Sequence, residues 1–275
     1  MTPVLKSIVA AALVAAPLAT APGPARAGVG DLLVAPTRIV LDGRRGGEVI
    51  LNNIGDQPAT YRISVELRRM TSEGSLEDVE EPSAEEKIAR DMIVYAPRRV
   101  TLAPNQPQSV RISVRAPEGL PDGEYRVHLL FRAIPPANPV VEQPGEEQKG
   151  LRFALIPVYG VTIPVIVRLG NLQATAGIAN VRLESNGGQK AVALDLSRTG
   201  DRSTFGEVRV LKPGVKDPIA LQRAVAVYKE VGTRKVSIPL DESFTGNVRG
   251  PVTVQYVEIY PGGSRVLAET QTVLR

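Results

Sequence analysis

Between residues 151 and 167 apolar side chains fall on alternate positions: Leu151, Phe153, Leu155, Tyr159, Val161, Ile163, Val165 and Val167, interrupted only by Pro157. Successive side chains of an extended chain point to opposite faces, so this spacing predicts a strand over residues 150–168. At about 3.3 Å per residue such a strand reaches about 60 Å, several times the length of a usual one. One small domain does not cover that length. Pro157 and Pro164 donate no ladder hydrogen bond, which places the strand at or near a sheet edge. An open apolar edge is an aggregation hazard, and one that is kept available suits pairing with another polypeptide.

Elsewhere short runs of Val, Ile and Leu alternate with turn residues, the chain holding 25 glycines and 23 prolines. That rhythm predicts antiparallel sandwiches. In the first half, strands are expected over residues 33–41, 48–53, 59–69, 92–95, 108–115 and 123–133, followed by the long edge strand. Ser83 and Glu86 form a capping box that opens a short helix towards Ala89. Residues 134–149, rich in Pro, Glu and Gln, read as a loop without fixed structure. Leu169, Gly170 and Asn171 break the pattern. A second set of strands follows over residues 177–183, 191–197, 206–211, 220–227, 234–239, 252–259 and 265–273, the number found in an immunoglobulin-like sandwich. The expected fold is therefore all-β, with two immunoglobulin-like sandwiches over residues 28–168 and 172–275 joined through residues 169–171.

The first 27 residues change the picture of where the chain works. Lys6, the apolar run from Ile8 to Leu18, and Ala25-Arg26-Ala27 are the three parts of a secretory signal peptide, with cleavage expected after Ala27. The apolar run is too short to span a bilayer. About 248 residues then remain, enough for one large or two ordinary domains. Removing Lys6 and Arg26 from the 33 basic residues leaves 31 against 29 acidic ones, about +2, which is too balanced and too scattered to imply nucleic acid. With no cysteine, no disulfide braces the fold, and stability must come from packing.

Candidate chemistry is sparse. The sole histidine, His128, alternates with Val127 and Leu129 and reads as an outward or cleft-facing surface residue. A metal site needs several converging N, S or O ligands, and there is no second His and no Cys. No Gly-x-Ser-x-Gly elbow and no phosphate-cradling glycine loop occurs. Neither an enzyme nor a cofactor is expected.

Three local sequences carry a resemblance: Val34-Ala-Pro-Thr-Arg-Ile-Val-Leu-Asp-Gly43, then Ala96-Pro-Arg-Arg-Val-Thr-Leu-Ala-Pro104 with Ser109-Val-Arg-Ile, then Leu120-Pro-Asp-Gly-Glu-Tyr-Arg-Val-His-Leu-Leu-Phe-Arg-Ala-Ile-Pro-Pro136. In order and spacing they resemble the periplasmic pilus-assembly chaperones of the chaperone–usher pathway, over most of residues 33–170. The second half matches in size and strand count only. The resemblance implies an L-shaped (boomerang) pair of sandwiches, in the periplasm, with a cleft that holds a pilus subunit. It implies donor-strand complementation, in which the last strand of the first domain completes an unfinished subunit sandwich without covalent chemistry. The donated side chains fall at Phe153, Leu155, Pro157 and Tyr159, with Leu151 extending the set. Ile156 and Val158 are apolar too, and a bulge at Pro157 would exchange the faces.

The resemblance also places a client-carboxylate anchor at Arg38, whose planar fork can make two parallel bonds. The family's second anchor, a lysine, aligns with Pro164, which cannot serve; Lys149, Arg152 and Arg168 are the substitutes at hand. Arg168 and Glu124 align with family residues near the domain joint and are expected to set the interdomain angle. The implied partners are a pilin-like or coat-like secreted subunit and an outer-membrane usher. The alternative reading is a structural envelope or surface protein that self-associates through the same edge strand.

Overall fold

The computed structural model describes residues 31–135, 158–186 and 188–275. The signal segment 1–27, most of the 134–149 loop, and Lys149, Leu151, Arg152, Phe153, Leu155 and Pro157 lie outside the described residues.

The first unit holds β1 (Leu32–Ala35), β2 (Ile39–Leu41), β3 (Gly47–Asn53), β4 (Ala59–Glu66), β5 (Arg68–Met70), β6 (Leu76–Asp78), α1 (Ala84–Asp91), β7 (Ile93–Ala96), β8 (Arg99–Leu102), β9 (Pro107–Val114), β10 (Gly123–Ile134) and β11 (Gly160–Leu169). One sheet runs β1-β3-β9-β7 and the facing sheet β2-β11-β10-β4-β8, with β5 and β6 forming a separate hairpin. The second unit holds β12 (Ala174–Asn186), β13 (Gln189–Gly200), β14 (Thr204–Leu211), β15 (Ala220–Val227), β16 (Thr233–Pro239), β17 (Gly250–Tyr260) and β18 (Gly263–Leu274). Its sheets run β12-β13-β16 and β15-β14-β17-β18. The described residues are thus all-β apart from α1, built as two sandwiches, each with its own core.

Period-two alternation explains both cores. Val49 and Leu51 of β3, Val110 and Ile112 of β9, and Tyr61 and Ile63 of β4 all point inward and are buried. Val192, Leu194 and Leu196 of β13 do the same against Val208 and Val210 of β14. On β12 the inward set shifts from Ala176 and Ile178 to Val181 and Leu183, across a bulge where Asn180 takes φ 53°.

Residues 33–41, expected as one strand, are two. β1 pairs with β3 in one sheet, whereas β2 pairs in parallel with β11 in the other. Pro36 lies between them and cannot donate to either ladder, so the chain crosses from sheet to sheet there. Ser83 caps α1 as expected: its side chain accepts from the Glu86 amide at 3.2 Å, and the Glu86 carboxylate accepts from the Ser83 amide at 2.8 Å.

β10 and β11 occupy a special place. Tyr125, Val127, Leu129 and Phe131, with Ile163, Val165 and Val167, fill the first core. On the other face of the same strands Glu124, His128 and Ile166 are also buried, because the second sandwich covers them.

Candidate functional site

The site begins with the hydrogen-bond parity of β11. Ala133 donates to the carbonyl of Tyr159 at 2.9 Å, and the antiparallel register carries on through Phe131↔Val161, Leu129↔Ile163 and Val127↔Val165. Bonded pairs alternate along such a ladder, so the odd residues of β11 turn their backbone groups to β10. The even residues, Gly160, Thr162, Pro164 and Ile166, turn theirs to the opposite side. There β2 covers only Val165–Val167. Among the described residues no strand pairs with that side of residues 160–164.

The expectation of an edge strand is therefore corrected by position. Val165–Val167 of β11 are internal, between β2 and β10, and among the described residues the segment 160–164 is a free edge. Pro164 sits on the edge-facing parity just beyond the end of β2, where its missing N–H breaks no ladder. Side chains follow the same alternation: Ile163, Val165 and Val167 enter the core, Val161 packs partly against it, and Tyr159 is 56% exposed. Val158, on the other parity, is exposed too.

The second part of the site is the joint between the sandwiches. Glu124 is 2% exposed and its carboxylate accepts from Arg168 Nε at 2.9 Å, from the Ser203 amide at 3.0 and 3.1 Å, and from Ser203 Oγ at 2.9 Å. Arg168 Nη2 also donates to the Ser203 carbonyl at 3.1 Å. A buried carboxylate held by a guanidinium and a backbone amide meets the condition under which a desolvated charge is tolerated. Arg168 is committed to this contact.

Arg38 lies beside the joint. Its guanidinium stacks 4.4 Å from the Phe205 ring centroid, and Nη2 reaches Ser203 Oγ at 3.5 Å. Nη1 is buried without a protein partner. Burial lowers the pKa of Arg38 from its ordinary value; Tyr228 opposes this, the neighbouring Arg168 charge adds to the lowering, and Glu124 opposes it more weakly. Arg38 lines an open cleft with Val40, Arg168, Phe205, Glu258 and Ile259. Glu258 is itself paired to Arg265 at 2.5 Å.

His128 corrects an expectation. Instead of lying on a surface it is 1% exposed, with its ring edge-on to Tyr228 at 6.4 Å and neither nitrogen bonded to protein. Burial first, then the charges of Arg126 and Arg68, push its pKa down to about 3. Alternation reported the face correctly, but not that a second body covers it.

Ser203, Phe205, Tyr228 and Glu230 belong to the joint and were not foreseen. All four come from the second unit, where residue spacing gives strand positions but not which turn meets the first sandwich. Among the described residues no group of three His, Asp or Glu side chains is arranged to hold a metal ion, and no helix is long and apolar enough to cross a membrane.

With this geometry in view, comparison with known proteins gives the following. No protein-family model matches the sequence, and no curated protein does. Among solved structures, the E. coli chaperone DraB is 17% identical, covering 91% of this chain and 99% of that one with a TM-score of 0.45. The Pseudomonas aeruginosa CupB2 chaperone is 15% identical, covering 88% and 100%, also with a TM-score of 0.45. A chain of the Salmonella enterica complex of SafA pilin with the SafB chaperone is 17% identical, covering 89% and 96% with a TM-score of 0.44. These three are chaperones, the last of them in complex with a pilin.

Proposed function

We propose that the chain is an exported chaperone of the chaperone–usher type, which holds a pilin-like or coat-like subunit by lending it an edge strand and passes it to an outer-membrane usher. The observation that carries the reading is the free edge at residues 160–164, where the alternation that fills the core runs outward to exposed Tyr159. The resemblance in residues 33–170 supports it independently. A subunit lacking one strand exposes apolar pockets and unpaired backbone groups, and a lent strand covers both. In this reading Leu151, Phe153, Leu155, Pro157 and Tyr159 enter the subunit, each buried side chain contributing about 1.5–3 kcal/mol before ordering costs. Arg38 receives the subunit's C-terminal carboxylate, with its unpartnered Nη1 as the available donor. No bond is made or broken, and the working compartment is the periplasm.

The test is recovery of a copurifying subunit from the native periplasm, identified by mass spectrometry, with the wild type and with Leu155→Glu and Tyr159→Glu. Charged groups in apolar pockets are expected to reduce recovery at least about tenfold, the equivalent of roughly 1.4 kcal/mol. Unchanged recovery with both folded variants overturns strand lending. A self-associated wild type without any subunit points to the structural alternative.

A further inference from the structure

We propose that the β5–β6 hairpin is a brace that fixes the angle between the two sandwiches, with Glu230 at its centre, so that the cleft is preset in the free protein. The inference does not rest on the proposed function. It comes from a second interdomain contact, apart from the Glu124–Arg168–Ser203 cluster and made by elements that the first core does not need.

The hairpin reaches the second sandwich by backbone bonds. The Lys235 amide donates to the Ser72 carbonyl at 2.7 Å, and the Met70 amide donates to Glu230 Oε1 at 2.7 Å. Glu230 also takes both ends of the Arg126 guanidinium, at 3.0 Å (Nη1–Oε2) and 2.5 Å (Nη2–Oε1). Arg126 in turn donates to the Arg68 carbonyl at 2.9 Å and lies 3.7 Å over the Tyr228 ring. One carboxylate of the second sandwich thus bonds both the hairpin and β10. Burial alone would raise the pKa of Glu230, but Arg126 and the Met70 amide outweigh it and hold it below its ordinary value.

Shape agrees with charge. Met70 is 8% exposed and packs with Ile166, Ala226, Tyr228 and Val231 in an apolar cluster that draws on both units. At the hairpin turn Gly74, with φ 84°, lies against Arg234: an added Cβ would come within 2.3 Å of its Nε. That guanidinium is tied to the Ala226 carbonyl at 2.6 Å. Glu73 pairs with Lys235 at 2.7 Å, and α1 adds a third strut through Glu85 and Lys229 at 2.6 Å. Arg69 bonded to Glu86 at 2.7 and 2.8 Å ties the hairpin to α1, so the struts move as one piece. Units joined by a small polar contact are expected to swing. Here a two-sided contact, apolar at its centre and ionic at its rim, opposes that motion.

Because the chain has no cysteine, spin labels placed at Ser113→Cys and Lys216→Cys, one in each sandwich, report the interdomain distance without background. The test compares the labelled full chain with the same chain carrying Glu230→Gln, or Glu73→Lys, or Lys235→Glu, or the Glu73→Lys/Lys235→Glu swap. Glu230→Gln is expected to broaden the distance distribution about twofold and to split one melting transition into two. The single charge reversals broaden it less, and the swap restores it. Tyr159→Glu, away from the hairpin, leaves it unchanged. Distributions as narrow as wild type in Glu230→Gln and both charge reversals overturn the brace. Should Glu230→Gln fail to fold, the charge reversals and their rescue still decide, since Glu73 and Lys235 are exposed.

Discussion

At the scale of single residues the joint stores its tension in His128. Its ring is buried with both nitrogens lacking protein partners, and each such group costs about 1–3 kcal/mol. His128→Leu, similar in volume and without polar atoms, is expected to raise the melting temperature at pH 7. The pH dependence has a definite sign. Folding holds the pKa near 3 against an ordinary 6.5, so below pH 6.5 the unfolded chain takes up a proton that the folded one refuses. Stability falls as pH drops from 6.5 to 3, and His128→Leu flattens that limb in urea titrations run across the range. Glu86 behaves as an ordinary carboxylate partner: its bond to Arg69, with the Ser83 amide, holds its pKa at about 2. Its contribution is full above pH 4.5 and lost as pH falls to 2, a limb that overlaps the His128 one between pH 4.5 and 3. The residue type and parity of His128 were legible in the sequence; its burial was not, because the covering surface comes from Tyr228, a hundred residues on in a separate sandwich.

Among the elements, those with local causes were the legible ones. The capping box of α1 could be read from Ser83 and Glu86, and Ser83→Ala is expected to cost about 1 kcal/mol by denaturant titration, since the Glu86 amide loses its acceptor. The alternations of β3, β4, β9 and β10 name their buried faces correctly. The break at Pro36 was harder to see, because residues on both sides of it are apolar and extended and only pairing shows that β1 and β2 serve different sheets. Likewise Pro157 and Pro164 signalled an edge, but the sequence did not show that β2 pairs with Val165–Val167. That division makes its own prediction. In hydrogen exchange the amides of Gly160 and Thr162, which face no strand among the described residues, exchange at least about a hundredfold faster than those of Val161 and Ile163, which bond to β10. Protection of Gly160 and Thr162 on adding a subunit is expected if that edge is where it pairs. Equal exchange across 160–163 in the free protein overturns the parity.

Across the whole molecule two sandwiches share two strands as a common wall. β10 and β11 face their own core on one side and the second unit on the other, which is why they carry buried charge: Glu124 could not remain on an inward strand position without Arg168 and Ser203. The brace and this cluster both join the wall to the second unit, and the open cleft at Arg38 adjoins the cluster through Arg168. The edge of β11 at residues 160–164 has a consequence of another kind. Within β11, Gly160 and Thr162 offer their N–H groups to that side and Pro164 offers none, so an added strand finds no further donor there before β2 begins. Growth by repeated stacking, as in a fibril, needs every chain to present an uninterrupted template to the next. In polymer terms, Pro164 is a chain terminator.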